Sequence, residues 1–337
     1  MSIMFLKRSE LEEVLEMPAV ISGVKSVYKE KAEGRVVAWP LVEHHFPEQD
    51  AVCDIRSGGV FGSVGIHGAK LLNNFPRNAE AGLPVFTGVL MAFDSSTGIP
   101  VGCMDASYIT SMRTGAAAAV GAGALARKDS RTLLIVGAGR QAIYLLGATL
   151  LEMPQLTRII VVDPLDAAGA KRFAENIRGR LQQELAIETE VSFEAMENLK
   201  KAAGEADVIL TITRSTAPLI QKDWLRPGTH LSCIGADMIG KEEIDPEIFT
   251  IARAFADDAK QCCTVGEMEI PAKMGLISPD SICGEIGQVL AGQIPGRISE
   301  EDITVFDATG LAALDLVTAK MAIALAEEKG AGTVIDL

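Results

Sequence analysis

No CxxC pair occurs in this chain, and its six cysteines fit neither the spacing of a zinc ribbon nor that of a finger. Most of them (Cys53, Cys103, Cys233, Cys262, Cys263 and Cys283) stand in apolar surroundings and read as small core residues. Long apolar runs are missing too. The stretch from Ala116 to Ala126 is alanine-rich, broken by glycine and too short to span a bilayer. The opening Met1 to Arg8 lacks the apolar run of a signal peptide. The expectation is a cytoplasmic protein with no membrane partner. Positive charge is scarce: 31 Lys and Arg against 45 Asp and Glu leave a net charge of −14. That balance argues against nucleic acid and anionic membranes as partners, while leaving room for a local basic pocket. Internal repeats and low-complexity segments are absent.

What is present is a 337-residue chain, 48% apolar and 23% charged, long enough for two ordinary domains. Ser9 to Glu33 reads as an amphipathic helix, with Ser9 and Glu12 as a capping box and Pro18 as a break or a new first turn. From Arg35 to Val101 the pattern changes to short β runs, among them Val60–Val64, Ala69–Asn73 and Thr87–Phe93. Asp105–Arg127 reads as a small-residue helix. Strands then alternate with helices: Thr132–Val136, Arg158–Val162, Glu188–Val191, Val208–Ile212, His230–Cys233, Ala254–Ala256 and Thr304–Phe306. Such alternation implies a parallel sheet. A mostly apolar helix, Leu311–Glu328, follows. The fold class is α/β: a Rossmann doubly wound parallel sheet plus an α+β dimerisation and substrate domain. The domains are set at 1–116, completed by 312–337, and 117–311.

Thr132-Leu133-Leu134-Ile135-Val136-Gly137-Ala138-Gly139-Arg140-Gln141-Ala142 is a buried strand running through a glycine turn into a helix, the layout of a dinucleotide-binding turn. Gly137 permits the tight turn and Gly139 lets the backbone approach a pyrophosphate. Ala142 stands where helix and strand pack closely. The helix N-terminus turns its partial positive charge to the phosphates. Asp163 ends the second strand about 25 residues later, where a carboxylate binds ribose hydroxyls. An acid there favours NAD over NADP, because it repels a 2′-phosphate. Lys171 and Arg172, farther on, leave NADP open.

Several motifs occur in one order along nearly the whole chain. They are Gly68-Ala69-Lys70, Asn78 with Gly82-Leu83-Pro84, Phe93-Asp94 with Thr97-Gly98, Met104-Asp105-Ala106, Thr110 to Ala117, Val136 to Ala142, Ile234-Gly235-Ala236-Asp237 and Phe306 to Gly310. On these the chain resembles the ornithine cyclodeaminase/mu-crystallin family. Asp54-Ile55-Arg56, Arg113-Thr114-Gly115 and Lys241 to Asp245 make it most similar to the archaeal-type alanine dehydrogenase branch. The resemblance implies a homodimer, an N-terminal substrate domain, a Rossmann domain and a C-terminal helix that rejoins the first. It also implies amine–imine hydride chemistry on a small amino or imino acid. The leading expectation is an NAD(P)-dependent alanine dehydrogenase or ketimine/imino-acid reductase. The rivals are ornithine cyclodeaminase and a non-enzymatic, mu-crystallin-like NAD(P)H-binding protein.

By resemblance Lys70 is the active-site lysine; burial near arginines would lower its pKa and suit it to proton transfer. A lone strand lysine more commonly snorkels to water. Arg56 and Arg113 are carboxylate clamps, the planar guanidinium matching a carboxylate fork. The resemblance implies that Arg113 also reaches the cofactor. For Arg56 a surface ion pair with Asp54 is the plainer account. Asp237, after strand His230–Cys233, is by resemblance the acid that handles the substrate amine or a water; a turn acid is the alternative. Cofactor contacts are assigned to Arg113, Gly137, Gly139, Arg140, Gln141, Asp163, Ile234, Gly235, Lys241 and Thr309, although helix capping accounts equally well for Thr309. Val42 stands where many relatives carry a basic residue, so the clamp lacks a member or the pocket takes another substrate; Val42 and Phe86 are expected to shape it. His44 and His45 read as surface or strand residues, His67 as a packing residue or one that supports the site from behind, and no metal site is expected.

Overall fold

The computed structural model describes residues 2–336; the outermost positions of the expected terminal segments, Met1 and Leu337, lie outside the described residues. The chain divides into two units. One takes in the chain up to Arg113 and again from Leu311 onward, and the other is Thr114–Gly310.

In the first unit, eight strands among the described residues form one sheet. Its order is Thr333–Asp336, Ser2–Leu6, Pro100–Asp105, Phe86–Asp94, Ile66–Asn74, Ala51–Val60 and Val36–Ala38, with Val42–Phe46 also paired to Ala51–Val60. Neighbours are antiparallel except Ser2–Leu6 beside Pro100–Asp105. Alternation gives the sheet two unlike faces. Ile66, Gly68, Lys70 and Leu72 point inward and are buried, while Leu71 between them is exposed. The helix Ala312–Lys329 packs on the inner face and also against the helix Met17–Ala32. Small side chains make room for it: Gly58, Gly68, Ala92 and Gly102 lie side by side in register. A methyl at Gly68 would meet Leu316 at 3.0 Å, and one at Gly102 would meet Ile323 at 2.5 Å. The next inward row is Arg56, Lys70, Leu90 and Met104.

Three local expectations are corrected. The single expected helix is two, Arg8–Val14 and Met17–Ala32, and of the two readings of Pro18 the new first turn holds, since it lies in the opening turn of the second helix, where its missing N–H costs nothing. The capping box is two residues earlier: the Lys7 N–H donates to Glu10 at 2.9 Å, and Ser9 lies inside the helix. The strand expected at Val60–Val64 instead ends at Val60. The buried Glu30 carboxylate accepts the Ser63 N–H at 3.2 Å and pulls the following residues out of the ladder.

The main sheet of the second unit has eight strands among the described residues, all parallel, in the order Ser192–Ala195, Arg158–Val162, Thr132–Val136, Val208–Thr211, His230–Cys233, Ile303–Asp307, Ala252–Ala256 and Gly284–Glu285, and Thr216–Ile220 and Glu242–Ile244 form a separate parallel pair. Strand order reverses between Thr132–Val136 and Val208–Thr211, the switch point of a doubly wound sheet. Leu133 to Val136 and Ile159 to Val162 are buried without alternation, as strands covered on both faces must be. The strand expected at Glu188–Val191 forms instead at Ser192–Ala195. Arg178 holds the Thr189 and Val191 carbonyls against its own helix, so the ladder begins only after them. The small-residue helix is Ala106–Leu125, started by Asp105, whose carboxylate accepts the Tyr108 N–H at 2.8 Å.

Candidate active site

The sheet and two helices of the first unit bring three of the sequence-derived residues together. Lys70 is 1% exposed, Arg56 6% and Arg113 7%, burial that no charged side chain tolerates without partners. Arg56 lies directly across the ladder from Lys70. Arg113 comes from the helix Ala106–Leu125. The partner uniting them was not anticipated: Asp315, fully buried in the first turn of Ala312–Lys329. Its Oδ1 accepts from Lys70 Nζ at 2.9 Å and from Arg113 Nε at 3.1 Å. Lys70 Nζ also donates to Thr110 Oγ1 at 3.1 Å. Desolvation lowers the Lys70 pKa to about 8; Asp315 pulls it upward, and Arg113 and Arg56 push it down. Burial opposes ionisation of Asp315, but Arg113 and Lys70 outweigh it and hold the carboxyl below its usual range. The Arg56–Asp54 ion pair exists, Nε to Oδ2 at 2.9 Å, but it is buried and on the same face as Lys70. Val42 is opposite Ile55, hence on the outer face, and is 54% exposed; it does not line this cluster.

In the second unit the glycine turn has the form its sequence implied. Gly137 adopts φ +103°, and a Cβ there would meet the Ile212 carbonyl at 2.7 Å. At Gly139 a Cβ would meet nothing within 4 Å, so that side of the turn is open space. Among the described residues the helix Ala142–Glu152 has no side-chain cap, and the buried Gln141 Oε1 has no hydrogen-bond partner. An open glycine turn, an uncapped helix N-terminus and an orphaned amide oxygen fit a pyrophosphate-bearing cofactor. Arg140 is exposed on the same turn. Asp163 braces the turn, accepting the Ala138 N–H on Oδ2 at 3.0 Å and the Leu165 and Asp166 N–H groups on Oδ1.

Other residues of interest cluster after the C-terminal ends of strands in the same sheet, where such folds bind ligands. Asp237 and Lys241 form a pair, Nζ to Oδ1 at 2.6 Å, and Lys241 also donates to the Gly235 carbonyl at 3.2 Å. Ile234 is buried beside them. The Gly235 N–H is engaged by the buried Glu243 at 2.9 Å, and a Cβ on Gly235 would strike that carboxylate at 2.5 Å. Thr309 is no helix cap: the N-cap is Leu311. Its hydroxyl instead donates to the buried Asp257 at 3.3 Å and accepts from Gln261 Nε2 at 2.8 Å.

Sequence reasoning also missed the carboxyls that hold these loops. Glu243 accepts the Thr213 N–H at 2.5 Å, Glu267 accepts the Glu243 and Ile244 N–H groups, Asp307 accepts that of Met268, and Asp257 that of Gly310 at 2.7 Å. Burial pushes Glu243, Glu267 and Asp307 toward the protonated form. Glu243 and Asp307 stand within the motifs Lys241 to Asp245 and Phe306 to Gly310, whereas Asp257 and Glu267 had no signal beyond being acids in otherwise apolar segments. Cys262 is buried with its thiol pushed well up by desolvation, which makes it an inert core group.

The family profile described as "Ornithine cyclodeaminase/mu-crystallin family" matches residues 1–330. An alanine dehydrogenase of Archaeoglobus fulgidus is 32% identical over 335 residues, covering 99% of this chain and 98% of that one. Among solved structures, an archaeal alanine dehydrogenase dimer with bound NAD superposes with a TM-score of 0.91 at 31% identity, covering all of both chains. The Delta(1)-pyrroline-2-carboxylate reductase of Thermococcus litoralis, in complex with NADH and L-proline, superposes with a TM-score of 0.90 at 29% identity, covering 98% of this chain and 99% of that one.

Proposed function

This chain belongs to the ornithine cyclodeaminase/mu-crystallin family, and on that premise we propose that it is an NAD-dependent oxidoreductase interconverting a small α-amino acid and its imino or oxo acid. The observation that carries the reading is the buried trio of the first unit. Lys70 and Arg113 share one carboxylate, so with Lys70 protonated the trio has one positive charge to spare. Arg113 and Arg56 supply guanidinium forks for a substrate carboxylate. Lys70 Nζ, depressed to about 8, takes the proton from the substrate ammonium in oxidation and returns it to the nitrogen in reduction. Bound NAD would supply the hydride acceptor for this oxidation. The glycine turn and the N–H groups at the helix start beside Gln141 would hold its pyrophosphate, and the Asp163 carboxylate and the Gln141 Oε1 would accept from its hydroxyls. Asp237, paired with Lys241, handles the amine or the water that converts imine to oxo acid.

The exposed face of the first sheet supports a homodimer. Val42, Ile55, Leu71 and Val89 stand in one cross-strand row, with Val42, Leu71 and Val89 each more than 40% exposed. No helix among the described residues is long and apolar enough to cross a membrane, and we place the activity in the cytoplasm.

The test is NADH absorbance with purified protein. Net NADH from alanine or another α-amino acid, or its consumption with an oxo acid plus ammonia or a cyclic imine, is expected. Proline and ammonia from ornithine without net NADH would mark a cyclodeaminase instead. Failure of calorimetry to detect NAD binding would remove both.

A further inference from the structure

We infer that Asp315 is the positioning carboxylate of the Lys70 site: it ties Lys70 and Arg113 to one point and governs whether the Lys70 amine holds its proton. For turnover this rests on the oxidoreductase reading above; the arrangement itself does not.

The argument begins with how Asp315 is used. A buried carboxylate has about four lone-pair sites, and a structural ion pair satisfies both oxygens. Asp315 instead gives both cations to Oδ1, while Oδ2 is buried with no hydrogen-bond partner among the described residues. Leaving that oxygen dry and unpaired is costly. The cost is tolerated because Asp315 sits in the first turn of its helix, where the dipole favours an anion. What the arrangement achieves is convergence: Nζ of a strand lysine and Nε of a helix arginine meet at a single atom supplied by a third element.

The second step concerns charge. Lys70 is faced by Arg113 and Thr110 from one helix, by Arg56 with its partner Asp54 from the adjacent strand, and by Asp315. Glu43 lies on the same sheet face, opposite Asp54. Leu90, on the other side of the ladder, is apolar. Desolvation and both arginines drive the proton off Lys70, and Asp315 is the chief opposing group. Asp315 is therefore what keeps the amine able to hold and release a proton near neutral pH, which a group that must do both requires.

Two readouts test this on the full chain. In the ligand-free protein, the folded amine titrates near 8 and a lysine in unfolded chain near ~10.4. The unfolded state binds more protons between these values, so stability to urea rises with pH across that window. In Asp315→Asn the rise should begin ~1 pH unit or more lower. In turnover, the acid limb of kcat/KM for amino-acid oxidation should move down by a similar amount, with Asp315→Glu returning it toward wild type. Asp315→Asn leaves two buried cations unpaired. If it does not fold, Arg113→Met alone is compared with Arg113→Met/Asp315→Asn, and the same downward shift is expected. Onset and limb both at wild-type pH, with activity lost only as stability is lost, would overturn the inference and reduce Asp315 to a brace. If the wild type oxidises no amino acid, the proposed reaction fails, and the ligand-free curve still decides the role of Asp315.

Discussion

Lys70 is an ammonium-bearing side chain with 1% of its surface exposed, and its environment explains the role proposed for it. The sequence signal for it was weak by itself, since alternating strands often carry a lysine whose head reaches water. What reverses that outcome is register. Being even-numbered with Ile66, Gly68 and Leu72, Lys70 must point at the helix-covered face. Replacing it with methionine leaves Asp315 paired with Arg113, so the protein should fold. Lys70→Met should lose ~10²–10⁴-fold in kcat, the usual share of a positioned proton carrier, while NAD affinity, measured by calorimetry, stays at the wild-type level. Turnover that survives in this variant would take Lys70 out of the mechanism. Wild-type oxidation should also accelerate as pH rises through about 8, as Lys70 becomes neutral. Arg56 and Arg113 were legible as residues. Asp315 was not, because it lies 245 residues from Lys70 in a stretch that reads only as an apolar helix.

Among the elements, the strands with continuous apolar runs were readable almost to the residue: Thr132–Val136, Arg158–Val162 and His230–Cys233 form as expected. Burial on both faces leaves little freedom in where such a strand starts. Edge and exposed segments were less readable, because side chains from elsewhere decide where pairing stops. Arg178 delays the strand at Ser192, and Glu30 bends the chain after Val60. The row Gly58, Gly68, Ala92 and Gly102 shows the same principle from the other side: its purpose is visible only with Leu316 and Ile323 against it. A methyl at Gly68 would collide with the Met91 carbonyl as well as Leu316. Gly68→Ala should therefore destabilise the protein by ~1–3 kcal/mol, the range for overpacking, read as a lower urea midpoint at unchanged slope.

For the whole molecule, pH and assembly are the accessible handles. His230 is fully buried, with Nδ1 and Nε2 each 2.9 Å from a hydroxyl, of Thr304 and Ser232. Desolvation, aided by the charge of Arg297, lowers its pKa to about 3. Below the ordinary value near ~6.5 the unfolded chain binds a proton that the folded one refuses, so stability falls as pH drops from there toward 3. His230→Gln should flatten urea stability between pH 6.5 and 5 relative to wild type; an equal slope in both would show that His230 does not contribute. The apolar row of Leu71 and Val89 belongs to the same scale. Leu71→Glu/Val89→Glu should convert a dimer to a monomer in light scattering after size exclusion, and an unchanged mass would place the contact elsewhere.

The sequence by itself determined the doubly wound sheet and the glycine turn with its acid, because these depend on local period and turn chemistry; it singled out the lysine and two arginines as candidates through the family motifs that carry them. Only the tertiary structure decided that Lys70 and Arg113 converge on Asp315, that Val42 faces away from them, and that buried carboxyls hold the loops after the strands. Those facts depend on which distant segments share a desolvated space, and burial there changes the charge state of the groups it encloses.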